Sequence, residues 1–134
     1  MNKIFSACII DDDPIFVYGT KRIMKEVGFT EKIEVFENGL DAIEELTRQS
    51  TIEKTLPRLI FLDLNMPIMN GWEFLDDFVK IPEAIRQNVV IYIVSSSIDP
   101  RDIERVKTYD IVTDYILKPV TPKDLKNMLD DMVN

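Results

Sequence analysis

Two kinds of segment alternate along the chain. Short stretches that are apolar, or that alternate apolar and polar residues, are typical of strands; they cover residues 4–10, 32–36, 59–62, 89–94 and 115–117. Between them, apolar residues recur every three or four positions, which predicts helices; these helices lie near residues 14–27, 40–46, 70–78, 100–108 and 121–132. Because strands that are apolar throughout are covered on both faces, the pattern predicts an α/β fold, a doubly wound sandwich with a five-stranded parallel sheet.

Several polar residues and glycines mark where these helices begin and end. Asp13 precedes a proline and is predicted to cap the first helix, which Gly28 ends. Asn70 and Glu73 have the spacing of a capping pair for the third helix. The polar residues 47–57 are consistent either with a long loop or with an extended helix end.

Length and composition narrow the class of protein. The 134 residues fit one domain, so we expect a single domain over residues 1–134 without a separate effector. No run of about 18 apolar residues is present, which predicts that no segment inserts into a membrane. Cys8 is the only cysteine and cannot form an intramolecular disulfide, which favours a reducing, cytoplasmic location. Its apolar neighbours place Cys8 in the core.

Charge and the absence of histidine exclude several functions. The chain has 16 basic and 24 acidic residues, and its net charge of −8 argues against direct DNA binding. It contains no histidine, which excludes Ser-His-Asp triads and histidine-based zinc sites. Any chemistry must therefore depend on carboxylates, hydroxyls and lysine.

Polar residues follow four of the predicted strands at the point where each strand ends. Asp11 and Asp12 follow the first strand, Asp63 the third, Ser95 the fourth and Lys118 the fifth. The carboxyl ends of parallel strands share one edge of the sheet, where ligands of such folds bind. Clustered carboxylates repel one another, and oxygen ligands suit Mg²⁺, which leaves coordination positions for phosphoryl oxygens. A lysine and a hydroxyl beside them are suited to phosphoryl transfer, in which a carboxylate can act as the nucleophile.

Each of these residues also has an ordinary structural interpretation. Asp11 and Asp12 alone fit a solvated turn, and Asp63 fits a loop cap. Ser95 fits a turn, and Lys118 fits the end of a strand. Each ordinary interpretation is plausible for one residue. For all of them together, at the ends of four strands, a shared site is the stronger hypothesis.

The longest motif carries a family resemblance. Residues 62–71, LDLNMPIMNG, are close to the signature LDxxMPxMdG, and they occur with the acidic pair, the hydroxyl and Lys118-Pro119 in order. In these features nearly the whole chain resembles a stand-alone response-regulator receiver domain of two-component signalling. The resemblance implies a flavodoxin-like (βα)5 fold and a Lys118–Pro119 bond that is often cis. It also implies a phosphoacceptor that is not a turnover enzyme.

The resemblance implies a role for each matching residue. Asp63 is expected to accept the phosphoryl group. Asp12 and Asp63 are expected to ligate Mg²⁺ directly and Asp11 through water, with the backbone carbonyl of Asn65 as a further ligand. The side chains of Asn65 and Ser97 are expected to tune the phosphoryl lifetime.

The remaining residues are implied to act in switching. Ser95 and Lys118 are expected to contact the phosphoryl group, and Tyr115 occupies the position of the family's switch aromatic. A phosphohistidine on a sensor histidine kinase or a histidine phosphotransfer protein is the implied donor. The face of the fourth helix, fifth strand and fifth helix would then bind a downstream protein, or the phosphoryl group would pass onward.

Two other classes of protein remain as alternatives. A haloacid-dehalogenase-like phosphohydrolase also uses an aspartyl nucleophile with Mg²⁺, but it usually has a second acid at the position that Asn65 occupies here. A pseudo-receiver has the same fold without phosphorylation, and it usually lacks an acid or the lysine, all of which are present. The cognate kinase, the target and the oligomeric state are left open. Residues 109–114 lack the glycine that the family usually has before the last strand.

Overall fold

The structure is a computed structural model that describes residues 3–97 and 99–133. Its strands are β1 Ile4–Ile10, β2 Thr30–Phe36, β3 Leu59–Leu62, β4 Val90–Ser95 and β5 Val112–Leu117. Its helices are α1 Pro14–Glu26, α2 Gly39–Arg48, α3 Gly71–Phe78, α4 Glu83–Arg86, α5 Pro100–Val106 and α6 Pro122–Val133. None of the helices in these ranges is long and apolar enough to cross a membrane.

All five strands pair in parallel, in the order β2-β1-β3-β4-β5, which confirms the predicted sheet. One face of the sheet packs against buried side chains of α2, α3 and α5, and the other against those of α1 and α6. The chain leaves β1 toward β2 on one side and returns to β3 on the other. The cleft at the carboxyl ends of β1 and β3 is therefore the topological switch point, where doubly wound folds bind their ligands.

The predicted helix ends are confirmed at both capped termini. The Asp13 carboxylate accepts hydrogen bonds from the backbone N–H groups of Ile15 and Phe16. Asn70 and Glu73 form a reciprocal capping box at the start of α3. Gly28 lies two residues after the end of α1 and has a φ of 64°. This left-handed conformation suits glycine. Cys8 is fully buried in the core, as expected.

The helices differ from the prediction in number and in one boundary. The described residues form six α-helices rather than five, because the four-residue α4 forms between α3 and β4; the predicted fourth and fifth helices are therefore α5 and α6. Residues 47–57 begin as an extended helix end: α2 continues into a π-helical turn, Gln49–Glu53. This turn is held by the buried Gln49, whose side-chain amide donates to the carboxylates of Glu34 and Glu45.

Candidate functional site

Three carboxylates meet at the carboxyl ends of β1 and β3. The backbone N–H of Asp63 donates to the carbonyl of Ile10 at 2.9 Å, which places the end of β3 directly beside the end of β1. One carboxylate oxygen from each of Asp11, Asp12 and Asp63 lies within 4.8 Å of the others. Asp11 and Asp63 are buried, with 1% and 8% of their surface exposed, whereas Asp12 is exposed. The sequence-predicted acidic cluster is thus assembled with one open side.

Lys118 lies against the buried edge of this cluster. Its ammonium nitrogen is 2.8 Å from Oδ2 of Asp11, and the same nitrogen lies 4.4 Å from the ring centre of Phe16. Oδ2 of Asp11 is buried and has no aligned hydrogen-bond donor among the described residues, so the ion pair with Lys118 is its compensation. The Lys118–Pro119 peptide bond is cis. The site therefore holds one cation against three carboxylates.

Burial dominates the electrostatics of the two inner aspartates. Burial raises the pKa of Asp63 to about 6, with a further increase from the charge of Asp11. The Lys118 charge and the backbone N–H of Asn65 partly oppose this increase. Burial also raises the pKa of Asp11, while the adjacent Lys118 ammonium and the backbone N–H of Asp13 lower it. The negative charge of the cluster exceeds the positive charge of Lys118. A bound cation would therefore offset both the cost of burying the carboxylates and the repulsion between them.

Ser95 and Tyr115 meet at one backbone carbonyl on the β4–β5 side of the cleft. The Ser95 hydroxyl donates to the carbonyl of Ser97 at 3.0 Å, and the Tyr115 hydroxyl donates to the same carbonyl at 2.8 Å. The backbone N–H of Lys118 donates to the carbonyl of Ser95 at 2.7 Å, which joins the ends of β4 and β5. The Tyr115 ring is half-buried and packs against the core cluster on the α2, α3 and α5 face. The hydroxyl, the aromatic ring and the lysine are therefore neighbours.

Comparison with known proteins identifies the family of this fold and site. The family model described as response regulator receiver domain matches residues 7–130. The chain belongs to the response regulator receiver domain family. Such domains are the phosphoacceptors of two-component signalling, and they receive phosphoryl groups from histidine kinases or phosphotransfer proteins. This confirms the family and the function that the sequence resemblance implies.

Individual relatives agree with this assignment. The chain is 28% identical over 128 residues to the probable methanogenesis regulatory protein FilR2 of Methanothrix harundinacea, covering 96% of this chain and 81% of FilR2. It spans about half the length of several further curated relatives. A two-component response regulator from Cytophaga hutchinsonii has 32% identity and a TM-score of 0.88, covering 98% of both chains. The receiver domain of the Pseudomonas aeruginosa sensor histidine kinase PA1611, crystallised with magnesium in its active site cleft, has 17% identity and a TM-score of 0.75, covering 96% of this chain and 97% of its own.

Two contacts of the receiver domain were not foreseen from the sequence. Phe16 lies on the apolar face of α1, and its ring also packs beneath the Lys118 ammonium. Trp72 is buried with 9% exposure and stacks on Tyr109. The only sequence signal for either contact is an aromatic residue beside a helix start, and it does not specify the partner.

Gly71 is expected to be intolerant of substitution because α3 begins in contact with the Asp63 segment. A Cβ at Gly71 would lie 2.6 Å from the backbone carbonyl oxygen of Asp63 and 2.9 Å from Cα of Leu64. We expect Gly71→Ala to lower the free energy of unfolding by about 1.5 kcal/mol through overpacking. Gly19→Ala is the matched control: apart from its chain neighbours and the nearby backbone of its own helix, no described atom lies within 4 Å of a Cβ there, and it should stabilise α1 by about 0.5–1 kcal/mol.

Urea denaturation of the two variants, each compared with the parent protein, checks this prediction. Both substitutions add the same methyl group to a helix, and only Gly71 has close contacts. Equal effects of Gly19→Ala and Gly71→Ala on the midpoint would therefore contradict the prediction.

Proposed function

We propose that residues 1–134 act as one receiver domain in which Asp63 is the phosphoacceptor. The observation that supports this most is that Asp63 is buried at the switch point, with Asp11 and Asp12 on one side and the Lys118 ammonium paired to Asp11. The ionised Asp63 oxygen attacks phosphorus, an O–P bond forms, and the N–P bond to the donor imidazole breaks. The sequence has no histidine, so the donor phosphohistidine lies outside it, on a sensor kinase or a phosphotransfer protein.

The acidic cluster fits Mg²⁺. Asp12 and Asp63 would bind the ion directly, Asp11 through water, and the backbone carbonyl of Asn65 would be a further ligand. All four offer oxygen, which a hard cation prefers, and one oxygen of each of the three carboxylates lies within 4.8 Å of the others. When bound, Mg²⁺ offsets the charge of the carboxylates and of the transferred phosphoryl group. The magnesium ion in the cleft of the PA1611 receiver domain supports this assignment.

Ser95 and Lys118 would recognise the new phosphoryl group. We propose that the Ser95 hydroxyl leaves the Ser97 carbonyl and donates to a phosphoryl oxygen, while Lys118 contacts another. The Tyr115 hydroxyl shares that carbonyl, so a shift of this segment changes the surroundings of Tyr115. The surface of α5, β5 and α6 then binds a downstream protein or the group passes onward. This is a population shift between two packings, biased by phosphoryl contacts.

We also propose that the domain has a signalling role rather than turnover on outside substrates. Asn65 stands two residues after Asp63, and its amide cannot act as the general acid of a phosphohydrolase.

The Cys8 thiol is free and buried, which is consistent with the reducing cytoplasm where phosphohistidine donors of this kind would meet the domain.

One experiment tests the phosphoacceptor role. The protein is incubated with a small phosphodonor and Mg²⁺, and its intact mass is measured. We expect one added phosphoryl group, which is lost in Asp63→Asn and in the presence of a chelator. Asp130→Asn, which neutralises an exposed aspartate on α6, is the matched control and should still gain the group.

The same measurement can contradict the proposal. No added mass in the parent protein would exclude phosphorylation from this donor, and retention of the added mass in Asp63→Asn would exclude Asp63 as the acceptor. Release of phosphate over many turnovers from a small phosphoester would instead support the hydrolase alternative.

A further inference from the structure

A cluster of aromatic and charged side chains joins α3 to α5. The rings of Trp72 and Tyr109 stack with 5.6 Å between their centroids and 30° between their planes. The guanidinium carbon of Arg105 lies 4.3 Å from the centre of the Trp72 ring, and the Tyr109 hydroxyl donates to Asp76 at 2.9 Å. We call Trp72, Asp76, Arg105 and Tyr109 the anchor cluster.

This cluster attaches α5 to α3, and α5 also contacts β5. The helix has seven residues, and Val106, at its last position, is its only buried side chain. At the opposite end of α5, the Asp99 carboxylate caps the helix and pairs with the exposed Arg101, both of them local contacts. The attachments of α5 to α3 therefore lie at its C-terminal end, at Arg105 and the following Tyr109, and the buried Val106 lies at the same end.

The α3 side of the cluster is firmly placed. The helix begins with a capping box, and Trp72 is followed by buried Phe74, Leu75 and Phe78. The backbone N–H of Gly71, next to Trp72, donates to the carbonyl of Leu64 at 3.0 Å, which fixes the start of α3 to the segment after Asp63. The anchor cluster thus connects the C-terminal end of α5 to the proposed phosphoacceptor segment.

The N-terminal end of α5 follows a different part of the site. It begins at Pro100, close in sequence after Ser95 and Ser97, which carry the hydroxyl and the carbonyl described above. A displacement of the Ser95 segment toward a phosphoryl group would therefore act on α5 at the end that has few attachments.

We propose that the anchor cluster is a pivot for α5. It holds the C-terminal end of α5 on α3 while the N-terminal end swings with the Ser95 segment. This rests on the proposed function, since phosphorylation of Asp63 supplies the displacement. The consequence is a rotation of α5 about Trp72 rather than a translation of the whole helix, so the surface beside β5 changes most near residues 100–103. Trp72, Arg105 and Tyr109 act as positioning residues in this switch.

Paired spin labels measure this directly in the full chain. In one variant, cysteines replace Arg101, near the start of α5, and Glu44 on α2. In the other, cysteines replace Lys107, just after the end of α5, and Glu44. All three positions are exposed, whereas native Cys8 is buried. The distances between the labels are compared without and with beryllium fluoride, which mimics a bound phosphoryl group, in the presence of Mg²⁺. We expect the 101–44 distance to shift by about 2 Å, in the range of helix movements in switching proteins, and the 107–44 distance to stay constant.

Variants of the cluster separate a pivot from a purely stabilising contact. Arg105→Gln removes the cation from the Trp72 ring, and Tyr109→Phe removes the hydrogen bond to Asp76 while keeping the stacked ring. In both, we expect the 107–44 distance to broaden without the mimic and to shift with it, whereas loss of a purely stabilising contact would lower the midpoint of urea unfolding and leave the distances as in the parent protein. Arg22→Gln removes a guanidinium from an exposed ion pair on α1 and should behave as the parent protein.

Each outcome decides the proposal. Equal shifts at both ends of α5, a shift at residue 107 alone, or parent-like distances in both cluster variants would overturn the pivot. No shift at either end also overturns it, and intact mass after treatment with a small phosphodonor then shows whether phosphorylation of Asp63, the proposed function, has failed as well.

Discussion

Lys118→Met is expected to destabilise the protein by about 3 kcal/mol at neutral pH, because it leaves a buried carboxylate without its counter-charge. Asp11 is 1% exposed, and the Lys118 ammonium is 2.8 Å from its Oδ2. Methionine keeps the apolar contact with Phe16 but removes the charge. The interaction with Lys118 lowers the pKa of Asp11, so its loss raises that pKa further. The deficit is therefore present above the pKa of Asp11 and disappears as the pH falls and Asp11 becomes neutral.

A double-mutant cycle tests this assignment of the energy. Adding Asp11→Asn to Lys118→Met removes the stranded charge, and we expect it to restore most of the lost stability. Lys123→Met, at an exposed position at the start of α6, is the matched control and should change the free energy of unfolding by less than about 0.5 kcal/mol. Urea denaturation in the presence of a chelator gives the free energies of unfolding of the parent, the two single variants, the double variant and the control. Additive losses in the double variant would mean that the two side chains are not coupled.

The sheet could be predicted because its signals are local. Each buried strand is a short apolar run such as residues 59–62, and Asp13, Gly28 and Asn70 mark helix ends by their own backbone or side-chain chemistry. The convergence of Asp11, Asp63 and the other polar residues on one edge then follows from parallel pairing alone.

The features that could not be predicted depend on contacts distant in sequence. The π-helical turn forms where Gln49 reaches Glu34 on β2, and neither residue signals this pairing locally. Likewise, Trp72 and Arg105 carry ordinary helix patterns, and only the packing of α5 on α3 brings them together. The candidate site was predictable in composition, but the pairing of Lys118 with Asp11 rather than with Asp63 required the structure.

Asp63→Asn is expected to stabilise the metal-free protein at neutral pH, although it removes the proposed phosphoacceptor. The folded-state pKa of Asp63 is raised to about 6, above its value of 3.8 in the unfolded chain. Between these values the folded protein binds more protons than the unfolded one, so the stability of the parent protein falls as the pH rises through this window. The neutral amide escapes this cost, which we put at about 2 kcal/mol above pH 6 after allowing for solvent screening at the open side of the cluster.

The pH dependence and the response to Mg²⁺ distinguish this cause from a general gain in packing. In a chelator, the difference in unfolding free energy between Asp63→Asn and the parent should be close to zero at pH 4, should grow to pH 6 and should then stay constant. With Mg²⁺ added at pH 7.5, the parent should gain stability while the variant gains less, because a ligand carboxylate is missing. Asp130→Asn should show neither effect. If the difference in unfolding free energy between Asp63→Asn and the parent protein is constant from pH 4 to pH 7.5, the burial and charge repulsion of Asp63 are not its cause.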